Sequence, residues 1–495
     1  MKKPEYEIWF LTGAQTLYGD EALRQVDAHS QVVVDGFNAC GKLPCKVVYL
    51  GTVKSTDEIA ARFREANASS TCVGVVLWMH TFSPAKMWIR GLQLLQKPIL
   101  HLHTQFNKEI PWDEIDMDFM NLNQSAHGDR EFGHIMTRLN KPRKVVVGHW
   151  EDADVQERVA AWARVCSAWN ALNNLRIIRF GDQMNNVAVT DGDKVDAEMK
   201  FGFRVEYCPV GELAAAVEKV DSADVDALVK EYETLYEFAD DCKASGKRRQ
   251  QVFEAARIEL GLRQVLEKWD AKAFTTNFDD LYGLNQLPGL ASQRLMAEGY
   301  GFGAEGDWKT AALVHAMKVA ADGLPGATSF LEDYVYHFKG KGAILQAHML
   351  EVCPTIAKSK PRMEVHPLGI GGKADPARLV FTAKECSGVA ATIVDLGARF
   401  RMIVNEVECI APEADLPKLP VARAFWTPLP DLKTAACAWI LAGGTHHTSF
   451  SSALTREHLE DFAEIAQIEV VFIDSKTTIP DFRRELRWND AYYRA

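Results

Sequence analysis

The sequence predicts an α/β protein: two doubly wound, Rossmann-like domains followed by a C-terminal β-rich domain, barrel-like or a sandwich. Three observations lead there. Continuous apolar runs alternate with amphipathic helical ones from the start of the chain. The alternation begins again near residue 171. After Glu332 it gives way to closely spaced strand-like runs joined by short turns. A chain of 495 residues is too long for one core, and the changes of texture divide it at 1–170, 171–325 and 326–495.

In the first domain EIWFL, KVVYLG, CVGVVLWMH, PILHLH and KVVVGHW read as strands. LRQVDAHSQVVVDGFNA and DEIAARFREANA read as helices between them, and KMWIRGLQLL continues the series. Ligands of such parallel sheets bind beyond the carboxyl ends of the strands. The polar loops at those ends are therefore candidates: GAQTLYG with Gln15 and Tyr18, HTFSP with His80 and Phe82, HTQFN, and NLNQSAHGDREFG with Gln124 and His127. Taken singly, each is better explained as satisfying loop backbone.

The second series runs through LRIIRFGDQM, VAVTDGDK and KFGFRVEYCP. Apolar residues at three- and four-residue spacing, as in LVKEYETLY, make Asp221 to Lys268 a surface helix pair. AFTTNFDDLYG is a strand ending in a loop at Phe278, whose ring is by default an ordinary core residue. The third domain contributes AILQAHMLEVCP, RMEVHPLGI, ARLVFTAK, GVAATIVDLG and RFRMIVNEVECI as strands. Two helices, at about 455–467 and 480–492, close it.

Composition narrows the function classes. With 47% hydrophobic and 25% charged residues the chain is an ordinary globular protein. A net charge of −11 opposes nucleic acid, and the one basic run, KASGKRRQQ, has no interleaved aromatics and reads as a solvated face or a subunit contact. Ile8 to Leu11 is too short an apolar run for a signal sequence. No stretch approaches the roughly 20 apolar residues that span a bilayer. The ten cysteines are scattered without a CxxC pair, as expected of reduced, buried thiols in a cytoplasmic protein.

The chemistry concentrates between Tyr300 and Pro354. GYGFGAEGDWK carries Glu305, SFLEDYVYHF carries Glu332 and AHMLEVCP carries His348, while LAGGTHHTSF later adds His446 and His447. Two carboxylates with one or two imidazoles suit a hard or borderline divalent ion, and a carboxylate among Phe330, Tyr334 and Tyr336 must be paired, protonated or bound to a cation. Asp333 is the expected solvent-facing neighbour. His446 and His447 follow the run AWILA, read as a strand, and adjacent strand residues face opposite ways, so one of the two should face the site. Spacing does not say which. Gly301, Gly303 and Gly306 spell GxGxxG. The residues before them look helical, so the strand of a dinucleotide-binding unit is missing. The glycines are expected instead to bend the backbone sharply and present Glu305, with Asp307 capping the next helix.

The strings GAQTLYG, WMHTFSPAKMW, HTQFN, MDFMNLNQSAHGDREFG, AEGDWKTAAL, LEDYVYHF, HMLEVCP, LGIGGKADPARL and AGGTHHTSF occur in this order. From about residue 6 to its end the chain resembles the L-arabinose isomerases. The resemblance implies a cytosolic enzyme with two α/β domains and a C-terminal β-rich one, interconverting L-arabinose and L-ribulose and, less well, D-galactose and D-tagatose. It implies one Mn²⁺ per subunit held by Glu305, Glu332, His348 and His447, with Glu305 and Glu332 as the acid/base pair of a cis-enediol mechanism. The substrate pocket it implies takes Gln15, Leu17, Phe82, Gln124, His127, Met184, Phe278, Ile370 and His446. It also implies stacked trimers forming hexamers, in which the N-terminal domain of one subunit completes the site of another.

Overall fold

CVGVVLW at Cys72–Trp78 is buried at every position, as a strand covered on both faces must be. It is the central strand of a five-stranded sheet formed by β1 (Glu7–Gly13), β2 (Lys46–Val53), β3 (Cys72–Trp78), β4 (Ile99–His103) and β5 (Lys144–Val147). All neighbours are parallel, in the order β2-β1-β3-β4-β5. Side chains alternate across it. Ile8, Phe10, Val76 and Trp78 pack with Val33, Val34 and Phe37 of the helix Gly19–Ala39 on one face. Leu11, Val75 and Leu77 pack with Ile59 and Phe63 of the helix Thr56–Ala68 on the other. Ser55 starts that helix by accepting from the Glu58 amide. The computed structural model describes residues 5–369 and 372–494. It resolves into two compact units, Met1–Asn170 with Glu460–Gln467 and Ala171–Leu459 with Ile468–Ala495.

In the second unit β6 (Arg176–Phe180), β7 (Arg204–Cys208), β9 (Ala273–Thr276) and β10 (Gly301–Ala304) form another parallel sheet in the order β10-β9-β6-β7. A two-residue strand, β8 (Glu237–Phe238), lies outside it. VAVTDGDK, through which the second alternating series was expected to run, forms turns: the Val187 amide bonds to the Met184 carbonyl, and Asp193 caps the helix Lys194–Phe201. Its apolar residues are only half-buried or exposed, so no core holds them extended.

The helices Ser222–Leu235 and Arg249–Lys268 fall within the expected pair, but the second is no surface helix. It buries Glu259 completely, and this carboxylate accepts from Tyr232 Oη at 2.7 Å, Arg263 Nη2 at 2.7 Å and Arg294 Nε at 2.9 Å. Removing one member of such a network strands the others in low dielectric, so Glu259→Ala is expected to destabilise the fold by about 3–5 kcal/mol in denaturant unfolding. The basic run is spent on ion pairs, Lys243 with Asp240, Arg248 with Asp375 and Arg249 with Glu233.

The β-rich region comprises β11 (Thr328–His337), β12 (Ala343–Ala347), β13 (Arg362–Val365), β14 (Ala377–Val380), β15 (Cys386–Asp395), β16 (Phe400–Cys409), β17 (Arg423–Pro428), β18 (His447–Ser451) and β19 (Glu469–Ile473). Its main sheet runs β15-β18-β11-β12-β17-β16, and β15 also pairs with β16, so the antiparallel ladder returns on itself. β19 adds in parallel to β16, while β13 and β14 pair with β8 in a small separate sheet. AWILA is not a strand. It ends the helix Leu432–Leu441, with Ala442 as the C-cap, and Asp431 caps the helix start by accepting from the Lys433 and Thr434 amides. Short apolar runs do not distinguish the two states by themselves; here the cap decides. No helix among the described residues is long and apolar enough to cross a membrane.

Candidate active site

Glu305 is presented by a turn under tension. Gly301–Ala304 is strand β10, followed by Glu305, Gly306 and the helix Trp308–Ala320. The residues before the motif are helical as expected, Gly289–Ala297, and the strand ahead of this turn is the motif's own first four residues, alternately glycine. A Cβ on Gly301 would fall 2.1 Å from the Ala311 carbonyl oxygen, and one on Gly303 2.2 Å from that of Asp307. Only glycine lets the helix lie this close to the strand. Glu305 and Gly306 then take φ of +61° and +85°, a conformation costing a non-glycine residue about 1–3 kcal/mol. Three backbone bonds hold it: Met184 N to Glu305 O at 3.0 Å, Gly306 N to Thr276 O at 3.3 Å and Asp307 N to Ala304 O at 2.9 Å. A Cβ on Gly306 would lie 2.4 Å from Gln183 Cα, so the turn rests on backbone and is closed to a pyrophosphate.

Strand register assembles the other groups. Glu332 on β11 lies opposite His447 on one side and Ala347 on the other, and His348 follows Ala347 directly. His348 Nε2 comes within 3.6 Å of Glu332 Oε2, and His447 Nε2 within 3.9 Å of Glu305 Oε2. His446 Nε2 lies 3.4 Å from Glu305 Oε2 and 4.0 Å from Glu332 Oε1. Two ligand groups result, Glu305 with His446 and His447, and Glu332 with His348 and His447; within each, the donor atoms lie inside 4.8 Å of one another.

Two further carboxylates set the direction of the rings. Asp307 Oδ2 is 3.0 Å from Nδ1 of His447, and Glu351 Oε2 is 2.5 Å from Nδ1 of His348. A carboxylate at Nδ1 keeps the proton there and leaves the Nε2 lone pair to the site. His447 is fully buried and its Nε2 has no hydrogen-bond partner. Such an atom beside two carboxylates is what a divalent-ion site requires of its nitrogen donor. Asp307 also caps the helix through the Thr310 amide and hydroxyl.

Charges in the cluster support one another. Burial pushes the Glu305 carboxyl up, but the His446 hydrogen bond and the neighbouring His447 and His348 outweigh it and hold it below its ordinary value. Burial likewise opposes the charged His348, but Glu351, Glu332 and Glu305 raise it. Asp307 is held at about 2: burial raises it, and the Lys309 ammonium and His447 more than compensate.

Two expectations fail locally. Asp333 does not face solvent; it accepts from Gln346 Nε2, and burial pushes its carboxyl up to about 6. Nor does strand alternation separate the two histidines, because the strand begins only at His447 and His446 precedes it. Both reach Glu305. Glu351 was missed altogether, although a carboxylate three residues after His348 is a readable signal.

The remaining candidates divide between the units. Met184 gives its amide to the Glu305 carbonyl, and Phe278 lies two residues beyond β9, whose end pairs with that of β10. In the first unit Gln15 and Leu17 follow β1, at the point beside β3 where the strand order reverses. There Phe82 and His127 bring their ring centroids to 4.6 Å, and the Gln124 amide donates to the His80 carbonyl. Ile370 lies outside the described residues.

Comparison with known proteins agrees along the whole chain. Residues 2–174 match the L-arabinose isomerase N-terminal domain, 176–323 the central domain and 327–469 the C-terminal domain. The L-arabinose isomerase of Phocaeicola vulgatus is 60% identical over 497 residues, covering 99% of this chain and 97% of that protein. Those of Herpetosiphon aurantiacus and Geobacillus kaustophilus are each 58% identical over 490 residues, covering 99% of this chain and 98% of theirs. A periplasmic sugar-binding protein of Legionella pneumophila is 12% identical, covering 64% of this chain and 95% of its own; its TM-score of 0.13 carries no argument. An α/β scaffold with a carboxylate and imidazole cluster, matched over its full length by such relatives, is an enzyme of the aldose-ketose isomerase class. The chain belongs to the L-arabinose isomerase family.

Proposed function

We propose that the chain interconverts L-arabinose and L-ribulose, and D-galactose and D-tagatose more slowly, in a hexamer in the cytoplasm. The observation that supports this is the pair of ligand groups that share His447, Glu305 with His446 and Glu332 with His348, in which the His348 and His447 rings are both turned by buried carboxylates. These four residues would hold one Mn²⁺, which when bound supplies Lewis acidity toward the sugar's O1 and O2. Moving a proton between C1 and C2 of an open-chain sugar needs one base that reaches both carbons and an acid for the oxygens. Glu305 and Glu332 stand close enough together, His446 lying 3.4 Å from one and 4.0 Å from the other, to share that work through a cis-enediol. His446, half-buried and bonded to Glu305, positions a sugar hydroxyl.

Met184, Phe278 and Ile370 belong to the substrate pocket in this reading. Gln15, Leu17, Phe82, Gln124 and His127 complete the pocket of a neighbouring subunit, which accounts for Leu17 being 81% exposed. The chain then comprises two Rossmann-like domains, 1–170 and 171–325, and a barrel-like domain, 326–495; the parallel sheets and the ladder that returns on itself support this division.

Purified protein incubated with L-arabinose and Mn²⁺ is expected to yield a ketose, with activity lost on chelation and restored by added Mn²⁺. Full activity after exhaustive chelation would exclude the metal from the reaction. Glu351→Gln is expected to weaken Mn²⁺ binding by about 10–100-fold, measured by titration, because His348 loses the partner that fixes its ring.

A further inference from the structure

We propose that Cys386 and Cys409 form a redox site, a thiol pair that a hydroperoxide converts into a cross-strand disulfide. The two residues open β15 and end β16, and they stand directly opposite one another in the antiparallel register. Directly opposed residues of such a ladder have Cα atoms about 4.5–5.5 Å apart and side chains on one face. That separation is within what a disulfide bridges. The Cys386 thiol donates to the Lys384 carbonyl at 3.4 Å, and turning it away from that oxygen and toward Cys409, its partner in the register, is the rearrangement that bond formation requires.

The two sulfurs differ in the way an attacking and a resolving thiol differ. Cys386 is half-buried, whereas Cys409 is 5% exposed and packed in the core. The neighbouring Cys409 and Ser452 side chains and the Lys384 charge hold the Cys386 thiol below its ordinary value. Burial pushes the Cys45 and Cys208 thiols up to about 11 and those of Cys72 and Cys242 up to about 12. Thiolate is the reactive form, so oxidation is directed to Cys386.

The chemistry balances with hydrogen peroxide as oxidant. The Cys386 thiolate attacks one peroxide oxygen, forming an S–O bond and breaking O–O; hydroxide leaves and takes up a proton to become water. The Cys409 sulfur then attacks the sulfenic sulfur, forming S–S and breaking S–O, and the Cys409 proton leaves with the oxygen as a second water. Two thiols lose two electrons in all, and one peroxide gains them.

The bridge joins the open end of the β15–β16 hairpin, the pairing that returns the ladder on itself. Neither cysteine is among the residues grouped around Glu305 and Glu332.

The test uses the full-length protein with Mn²⁺, treated with a few equivalents of hydrogen peroxide, alkylated with iodoacetamide and digested with trypsin. Arg399 and Arg401 lie between the two cysteines, so a bridge links two separate peptides. The expected result is that linked pair, lighter by two hydrogens than its reduced parts and released by dithiothreitol, with the melting temperature raised by a few degrees in the oxidised protein. Cys386→Ser should show neither the linked pair nor the rise. Recovery of Cys386 as alkylated thiol or sulfinic acid, or its linkage to another cysteine, would overturn the assignment. Because the peptide map is made on the unmodified chain, that outcome stands even if a variant folds poorly.

Discussion

Glu305→Gln and Glu332→Gln are each expected to lower kcat by about 10²–10⁴-fold, the range in which a positioned acid or base contributes. The substitution keeps shape and a hydrogen-bonding oxygen, so the turn around Glu305 and the β11 ladder should persist. What disappears is the charge that draws on His446, His447 and His348. Each variant loses one carboxylate from the donor set as well as one proton carrier. The two contributions are separated by saturating with Mn²⁺: a deficit that metal restores belongs to binding, and one that persists belongs to proton transfer. Retention of more than about a tenth of wild-type kcat by either variant would remove that residue from the proton-transfer step.

Asp307→Ala should produce the largest combined loss of metal binding and stability. Asp307 caps the helix Trp308–Ala320, holds Nδ1 of His447 and faces the ammonium of Lys309 at 3.8 Å, with both side chains nearly fully buried. The missing cap costs about 1 kcal/mol. Leaving Lys309 charged without this carboxylate raises the expected cost to about 3–5 kcal/mol, and a freed His447 ring weakens Mn²⁺ binding by about 10–100-fold. Denaturant unfolding reads the first effect and metal titration of the still-folded protein the second. Wild-type metal affinity in this variant would show that the His447 ring is held by the strand backbone and packing alone.

The sequence by itself determined the α/β texture, because a strand buried on both faces must be apolar throughout and its helices must be amphipathic. Cys72–Trp78 and the helix Thr56–Ala68 lie where that pattern puts them. It also marked Glu305, Glu332 and His348, since charged and imidazole groups among apolar residues need partners. The tertiary structure decided what depends on pairing between distant strands. Only the register of β11 with β18 brings His447 opposite Glu332, from more than a hundred residues away along the chain. Only the start of that strand at His447 lets His446 reach the same carboxylate. The inward turn of Asp333 is likewise a three-dimensional fact. Local propensity records what a residue prefers, and these positions answer instead to which neighbour the fold sets against them.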